Sequence, residues 1–346
     1  MERAAAMPTP VHPQHSELRK DPWRGHWVIM APGRAARPQP AFRRSLLDAT
    51  VAGPFAAGQE DHTPSEVFAV RPDGGKANDA TWRVRVVPNL YPALRVEHGP
   101  EAVADGPADK MAGLGAHEVI IEDPSKDADL TTMPVRRLTE VLWAWRCRLQ
   151  DLRRDTRLAC GIVFRHRGAD AGATLAHPHS QLVALPFVPA ALTTELQAAH
   201  AYRLAHGRCA LCDVVRHERE LRARVVFDGG GALAWAPFAS RAPYELCVAP
   251  ADHPHPFEDA SEPVLAAVAA TLKEALVRLD AVLNAPPYRL WLRNAPWRIP
   301  GEERHGHHWH ISLLPITHQE GALEEATGVH INTLLPEDAA ASLCGA

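Results

Sequence analysis

Two hydrophobic periods run along this chain, and each change of period marks an element. From Arg137 to Asp155, Leu138, Val141, Leu142, Trp145, Leu149 and Leu152 recur at three- and four-residue spacing with charged residues between them, which predicts an amphipathic helix. Residues 160–168, CGIVFRHRG, read as a strand ended by Gly168. The small-residue loop ADAGATLA follows, then a second strand, HPHSQLVALP. The second half repeats this plan. Glu262 to Asn284 is another amphipathic helix, YRLWLRNAP (288–296) a strand ended by a turn, and HHWHISLLP a strand with His308, His310 and Ser312 at alternate positions. Upstream, VVPNLYPALR (86–95) with HEVIIEDP (117–124) pairs loosely with WAPFASRAPYELCVAP (235–250). The repeated order helix, strand, loop, His-x-His strand indicates an internal duplication; two unrelated α+β segments are the alternative. The expected fold class is α+β, as two tandem halves, each an antiparallel sheet with a packed helix. Residues 1–15 are expected to form a flexible tail, 16–195 the first half and 196–346 the second.

The stretch LAHPHSQLVALPF (175–187) places His177, His179 and Gln181 at alternate positions. Side chains two apart on a strand share a face, so all three project from one surface. Spacing alone does not separate a reactive site from a half-buried strand whose polar face happens to carry histidines.

Composition narrows the classes. The chain has 346 residues, 46% hydrophobic and 23% charged, enough for a globular core in two domains or one large one. A net charge of −4 without a basic block argues against nucleic acid as the main partner. The N-terminal MERAAAMPTPVHPQH lacks the apolar centre of a secretory signal. Val264 to Leu272, the longest apolar stretch, is too short to span a membrane. Of six cysteines only Cys209 and Cys212 are close-spaced, which fits a reducing, cytoplasmic setting without disulfides. Twenty histidines, several clustered, favour metal or phosphate chemistry.

Seven segments together carry a resemblance: LRKDPWRGHWVIMAPGRAARP (18–38), RVRVVPNLYPAL (83–94), HEVIIEDP, GADAGATLAHPHSQ (168–181), APFASRAPYELCVAPADH (236–253), HHWHISLLP (307–315) and EEATGVHINTLLPED (324–338). In this order the chain resembles, nearly end to end, the galactose-1-phosphate uridylyltransferase branch of the histidine-triad superfamily. It is especially similar to the ADP-glucose phosphorylase-like members. The resemblance implies two histidine-triad-like halves and a nucleotidyltransferase that moves a nucleoside monophosphate between a nucleoside diphosphate sugar and a sugar 1-phosphate or phosphate. It implies His179 as the nucleophile that becomes nucleotidylated, and a homodimer. Gln181, on the same strand face, can donate an amide N–H to a phosphate oxygen. Thr174 matches a hydroxyl that contacts the phosphates, or is an ordinary loop hydroxyl; Asn89 matches a nucleotide-binding position, or is a turn asparagine. Arg34 and Arg37 match arginines near the phosphates, partly across a subunit boundary, and Glu324 matches a contact to the sugar hydroxyls. Where the family carries asparagine on the strand before the motif, this chain has His166, which can still donate one hydrogen bond.

For metal, Cys209 and Cys212 have zinc-knuckle spacing. A redox pair or two buried thiols is the alternative. The resemblance supplies His253 and His308 as the remaining ligands, with His255 and His310 as possible substitutes. In the first half, Gly53, Ala56 and Lys126 stand where the family carries two cysteines and a histidine, and of that tetrad only His177 remains. One zinc per chain is therefore expected, in the second half, leaving His177 a structural or hydrogen-bonding role. Glu60, Asp61 and His62 form a less orthodox candidate. Uracil and adenine both remain open as the base. The activity expected is hexose-1-phosphate uridylyl transfer, with ADP-sugar phosphorolysis, nucleotide hydrolysis or non-catalytic nucleotide binding as alternatives.

Overall fold

A computed structural model describes residues 16–36, 45, 53–319 and 321–345. Residues 1–15, expected as a tail, lie outside them, as does Arg37.

The chain opens with β1 (Glu17–Lys20) and β2 (Trp27–Met30). The first half then runs β3 (Phe68–Val70), β4 (Val84–Pro88), the hairpin β5 (Ala102–Asp105) and β6 (Ala108–Met111), β7 (Ala116–Ile121), α1 (Val135–Leu152), β8 (Cys160–Arg167) and β9 (His179–Leu185). Two helices, α2 (Ala190–His206) and α3 (Ala210–Leu221), lead to β10 (Val225–Asp228), β11 (Ala232–Trp235), β12 (Leu246–Pro250), α4 (Glu262–Leu283), β13 (Tyr288–Arg293), the short α5 (Gly301–Gly306) and β14 (His310–Pro315). The chain ends with α6 (Ala322–Thr327), β15 (His330–Asn332) and α7 (Pro336–Cys344).

Ten of these strands form one sheet in the order β10-β11-β12-β14-β13-β8-β9-β7-β4-β3. Counted along each half, β3, β4, β7, β9, β8 and β10, β11, β12, β14, β13 share one order, first-second-third-fifth-fourth, with the long helix between the third and fourth strands. The halves mirror one another across the β8–β13 pair, which is antiparallel with Phe164 opposite Trp291. Each half is thus an antiparallel sheet with a packed helix, as expected, and the two are joined into one continuous sheet. The innermost strand of each half would otherwise present a row of unpaired N–H and C=O groups, and pairing the two edges satisfies both.

The core lies between the sheet and the side-by-side helices α1 and α4. From α1 it takes Leu138, Val141, Leu142, Trp145 and Leu149; from α4, Leu265, Val268, Leu272, Leu276 and Leu279, all fully buried. Burial of side chains of this size stabilises by about 1.5–3 kcal/mol each. The sheet's alternation sets which β9 residues meet that core. Ser180, Leu182 and Ala184 are fully buried on the helix side, and Trp145 Nε1 donates to Ser180 Oγ at 2.8 Å. His179, Gln181 and Val183 therefore face away from the helices.

A smaller sheet, β1-β2-β15, packs Val28 and Met30 against Ala239 and Leu335 of the second half. Asn332 Nδ2 locks it by donating to the Ser240 carbonyl at 3.0 Å.

Candidate active site

The backbone decides which nitrogen of His179 is free. His179 Nδ1 lies 2.8 Å from its neighbour His177's carbonyl oxygen. A carbonyl only accepts, so Nδ1 carries the proton and Nε2 keeps its lone pair. Burial pushes the ring's pKa down to about 4, the nearby Arg165 and His177 adding to the effect while the bond to the His177 carbonyl opposes it. At neutral pH the imidazole is uncharged and nucleophilic. The residue is 8% exposed, and Phe55 packs against its ring with centroids 5.4 Å apart.

His177 is tied differently. Its Nε2–H donates to the Asp123 carbonyl at 2.7 Å, and its buried Nδ1 has no partner. Phe55 meets this ring too, edge-on at 6.1 Å. An aromatic ring thus packs on the remaining histidine of the lost tetrad, while Lys126 pairs with Asp127 instead.

Gln181 is half-buried, and its Oε1 lies 2.8 Å from His117 Nε2. Asn89 belongs to the same network, with Nδ2 3.1 Å from that nitrogen. Phe164 is opposite Gln181 in the β8–β9 register, so His166 shares the His179 face. Burial, then the Arg289 guanidinium beside it on β13, hold His166 below its usual pKa. Arg289 also lines a cavity of about 320 Å³, together with Asp170, His318 and Gln319 among others.

The other sequence candidates are not gathered here. Thr174 is exposed on its loop with no hydrogen bond among the described residues. Arg34 is exposed on the 3-10 turn after β2, and Glu324 closes the start of α6 by accepting the Gly321 N–H at 3.1 Å. Both belong to the β1-β2-β15 layer that packs on the second half, and no described contact brings either to His179.

In the second half, the ligand atoms of Cys209, Cys212, His253 and His308 lie within 4.8 Å of one another, a group able to hold a metal ion. Cys212 Sγ is 3.3 Å from Nδ1 of both histidines. His308 Nε2–H donates to the Pro250 carbonyl at 3.0 Å, which turns the Nδ1 lone pair toward the sulfurs. Cys209 sits at the N-cap of α3, with Cys212 one turn on. The substitutes are not recruited. His255 is exposed, and His310 is buried under the edge of Trp23 at 6.2 Å between ring centroids. Among the described residues this is the one such group, so Glu60, Asp61 and His62 do not converge.

Residues 8–189 match the family described as galactose-1-phosphate uridyl transferase, N-terminal domain, which covers more than half of the chain. The chain belongs to the galactose-1-phosphate uridylyltransferase family. It is a nucleotidyltransferase. An ADP-glucose phosphorylase of Arabidopsis thaliana is 31% identical over 95% of this chain and 93% of its own length. A galactose-1-phosphate uridylyltransferase of Thermotoga maritima is 26% identical over 94% of this chain and 97% of its own. The crystal structure of an Arabidopsis thaliana ADP-glucose phosphorylase with bound ADP-glucose superposes with a TM-score of 0.83 at 29% identity, covering 96% of this chain and 99% of that one.

Two features of this uridylyltransferase-family chain escaped the sequence reading. One is His117, which pairs with Gln181 because the β7–β9 register sets Val119, two residues on, opposite Gln181. The other is how the second half differs from the first. His310 mirrors His179, with Nδ1 3.4 Å from the His308 carbonyl, but its Nε2 is buried without a partner. Ser312, in the place of Gln181, accepts from Arg24 at 3.1 Å, and Arg24 pairs with buried Glu245 at 2.9 Å. The N-terminal Trp23–Arg24 turn thus fills the mirror position.

Proposed function

We propose that this chain carries a nucleoside monophosphate from a nucleoside diphosphate sugar to a sugar 1-phosphate or phosphate through His179, as a hexose-1-phosphate uridylyltransferase does. One observation carries the reading: the Nδ1–H···O=C bond to His177 leaves the Nε2 lone pair free. In the first step Nε2 attacks the α-phosphorus and the bond to the bridging oxygen breaks. The sugar 1-phosphate leaves with the electron pair. The new nucleotidyl-imidazolium keeps its Nδ1 proton on the carbonyl. An oxygen of the incoming phosphate then attacks phosphorus, and the P–N electrons return to Nε2. Gln181's amide N–H steadies the phosphate oxygens, a contribution typically worth 10²–10³ in rate. His166 supplies a further neutral donor beside His179. Asn89 and Thr174 serve the nucleotide and its phosphates, and His177 orients the motif.

The greater identity to an ADP-glucose phosphorylase favours a second reading in which the base is adenine. Initial rates with UDP- and ADP-sugars, varied against sugar 1-phosphates and inorganic phosphate, test both. Parallel double-reciprocal lines with one donor and no steady release without acceptor support transfer. Steady release without acceptor indicates hydrolysis, and no turnover with any donor contradicts the reading. Because the low pKa keeps His179 neutral, the acid limb of kcat/KM is expected near pH 4, not near the ordinary histidine value of 6.5. A limb at 6–7 that shifts with substitution of His179 contradicts that assignment.

The metal is zinc. Thiolate and imidazole on one tetrahedral zinc lie about 3.5 Å apart at standard bond lengths, close to the 3.3 Å separations here. Such an ion would pin α3 to β12 and β14. Elemental analysis is expected to give one zinc per chain, falling to near zero in Cys212→Ser with a lower thermal midpoint. Two per chain would place a second ion in the first half. The chain acts in the cytoplasm as a homodimer, and a second copy brings Arg34 and Glu324 to the His179 face.

A further inference from the structure

The reaction proposed above needs Gln181 to turn its amide nitrogen, not its carbonyl, toward the phosphate. Nothing in a glutamine prefers one of these orientations, since rotation by half a turn about its last bond exchanges oxygen and nitrogen. We infer that His117 is a positioning residue that fixes the Gln181 amide in the orientation phosphate binding requires.

At the backbone, donor and acceptor are not in question. The Ala93 N–H donates to His117 Nδ1 at 3.1 Å. Nδ1 must therefore hold a lone pair, and the neutral ring carries its proton on Nε2. That N–H lies 2.8 Å from Gln181 Oε1. Only an oxygen can accept there, so the glutamine carbonyl is held toward His117 and its NH₂ turns away from it. Asn89 opposes this assignment, but the Ala93 and Gln181 contacts together outweigh its single one. Its Oδ1 accepts the Tyr91 N–H at 2.9 Å, which leaves Nδ2 as the atom 3.1 Å from His117 Nε2. Two donors meet at that contact, and neither can become an acceptor while the backbone N–H groups of Ala93 and Tyr91 hold the other ends.

Position supports the same role. In the β7–β9 register His117 is opposite Val183 and Val119 is opposite Gln181, so His117 reaches Gln181 diagonally on the face that carries His179. The Asn89 N–H donates to the His117 carbonyl at 2.8 Å, so the residue is fixed at its main chain as well as at its ring. The chain from Ala93 through His117 to Gln181 runs from a backbone amide to the phosphate-facing side chain with the polarity that the Ala93 N–H sets.

A structural role alone, tying the Asn89–Ala93 loop to β7 through Nδ1, predicts the opposite mutational pattern, and two amides separate the roles. Asparagine places an oxygen near Nδ1 and keeps the loop tie but loses the donor to Gln181. Glutamine reaches the Nε2 position with an N–H and keeps the donor but loses the loop tie. The full chain is assayed for single-turnover formation of the His179 adduct and for kcat and KM with the donor sugar nucleotide. His117→Asn is expected to slow adduct formation and kcat by about tenfold or more with KM within about twofold. His117→Gln is expected to retain most of the rate. Equal loss in both variants, no loss in either, or loss in His117→Gln with retention in His117→Asn overturns the inference. The inference rests on the His179 reading. A wild-type chain that forms no adduct overturns that reading and this one together, whereas an active wild type with the reversed pattern overturns only the role of His117.

Discussion

His179→Ala is expected to lower kcat/KM by about 10⁴-fold or more while leaving the fold intact. The size follows from what the ring does. Without it the α-phosphorus must be attacked directly by the incoming phosphate, two anions approaching one another with no intermediate to divide the barrier. The remaining donors, Gln181 and His166, can steady charge but cannot make the P–N bond. The fold should tolerate the change because the ring's described polar contact is one bond to its own neighbour's carbonyl, on the face opposite the α1–α4 core. Initial rates and circular dichroism on the same preparation check this. A variant within tenfold of wild type would show that the nucleophile lies elsewhere.

Arg165→Met is expected to cost about 3–5 kcal/mol of stability, because it removes one partner of a buried ion pair. Arg165 Nε is 2.9 Å from Glu122 Oε2, with 2% and 0% of the side chains exposed. Its Nη1 reaches the Tyr288 hydroxyl at 2.5 Å. Burial already pushes the Glu122 carboxyl above its usual pKa, with Arg165 as the main opposing influence. Methionine fills the stem's volume and leaves that carboxyl alone in an apolar interior. The Arg165→Met, Glu122→Gln double variant removes the uncompensated charge and is expected to recover part of the loss. Denaturant titration of the two singles and the double measures the coupling. A single variant costing under 1 kcal/mol would mean the pair is hydrated in solution. Since Arg165 is opposite Ser180 on the strand that carries His179, the same pair holds the reactive strand from its core side.

Periodicity made the main elements legible. The helix expected from Arg137 to Asp155 runs Val135–Leu152, and the one from Glu262 to Asn284 ends at Leu283. Residues 160–168 form β8, and both His-x-His strands form where alternation placed them, beginning at the second histidine of each. Local pattern carries this information because core burial on one face imposes it. Pairing between distant strands leaves no such mark, so the fusion through β8 and β13 was not legible, nor was the three-stranded layer of β1, β2 and β15. In the site, His179 and Gln181 share a face of β9, as the spacing required, and Phe55 packs on both His177 and His179. The Cys209–Cys212 pair was legible as a ligand set because thiols at that spacing have few other uses, and His253 and His308 came with the family resemblance. What escaped was relational. Phe55 is an ordinary apolar residue until it packs on two histidines, and Trp23 and Arg24 until they fill the mirror site. His117 acquires a role only when the β7–β9 register brings it to Gln181.

The most direct test of the whole account is the mass of the intact chain after brief exposure to a UDP- or ADP-sugar without acceptor. The expected result is the addition of one nucleoside monophosphate per chain, acid-labile, mapped to the peptide carrying His179, discharged by sugar 1-phosphate or phosphate and absent from His179→Ala. An unchanged mass with every donor in a chain that nonetheless turns over, or an adduct on any other residue, would contradict it.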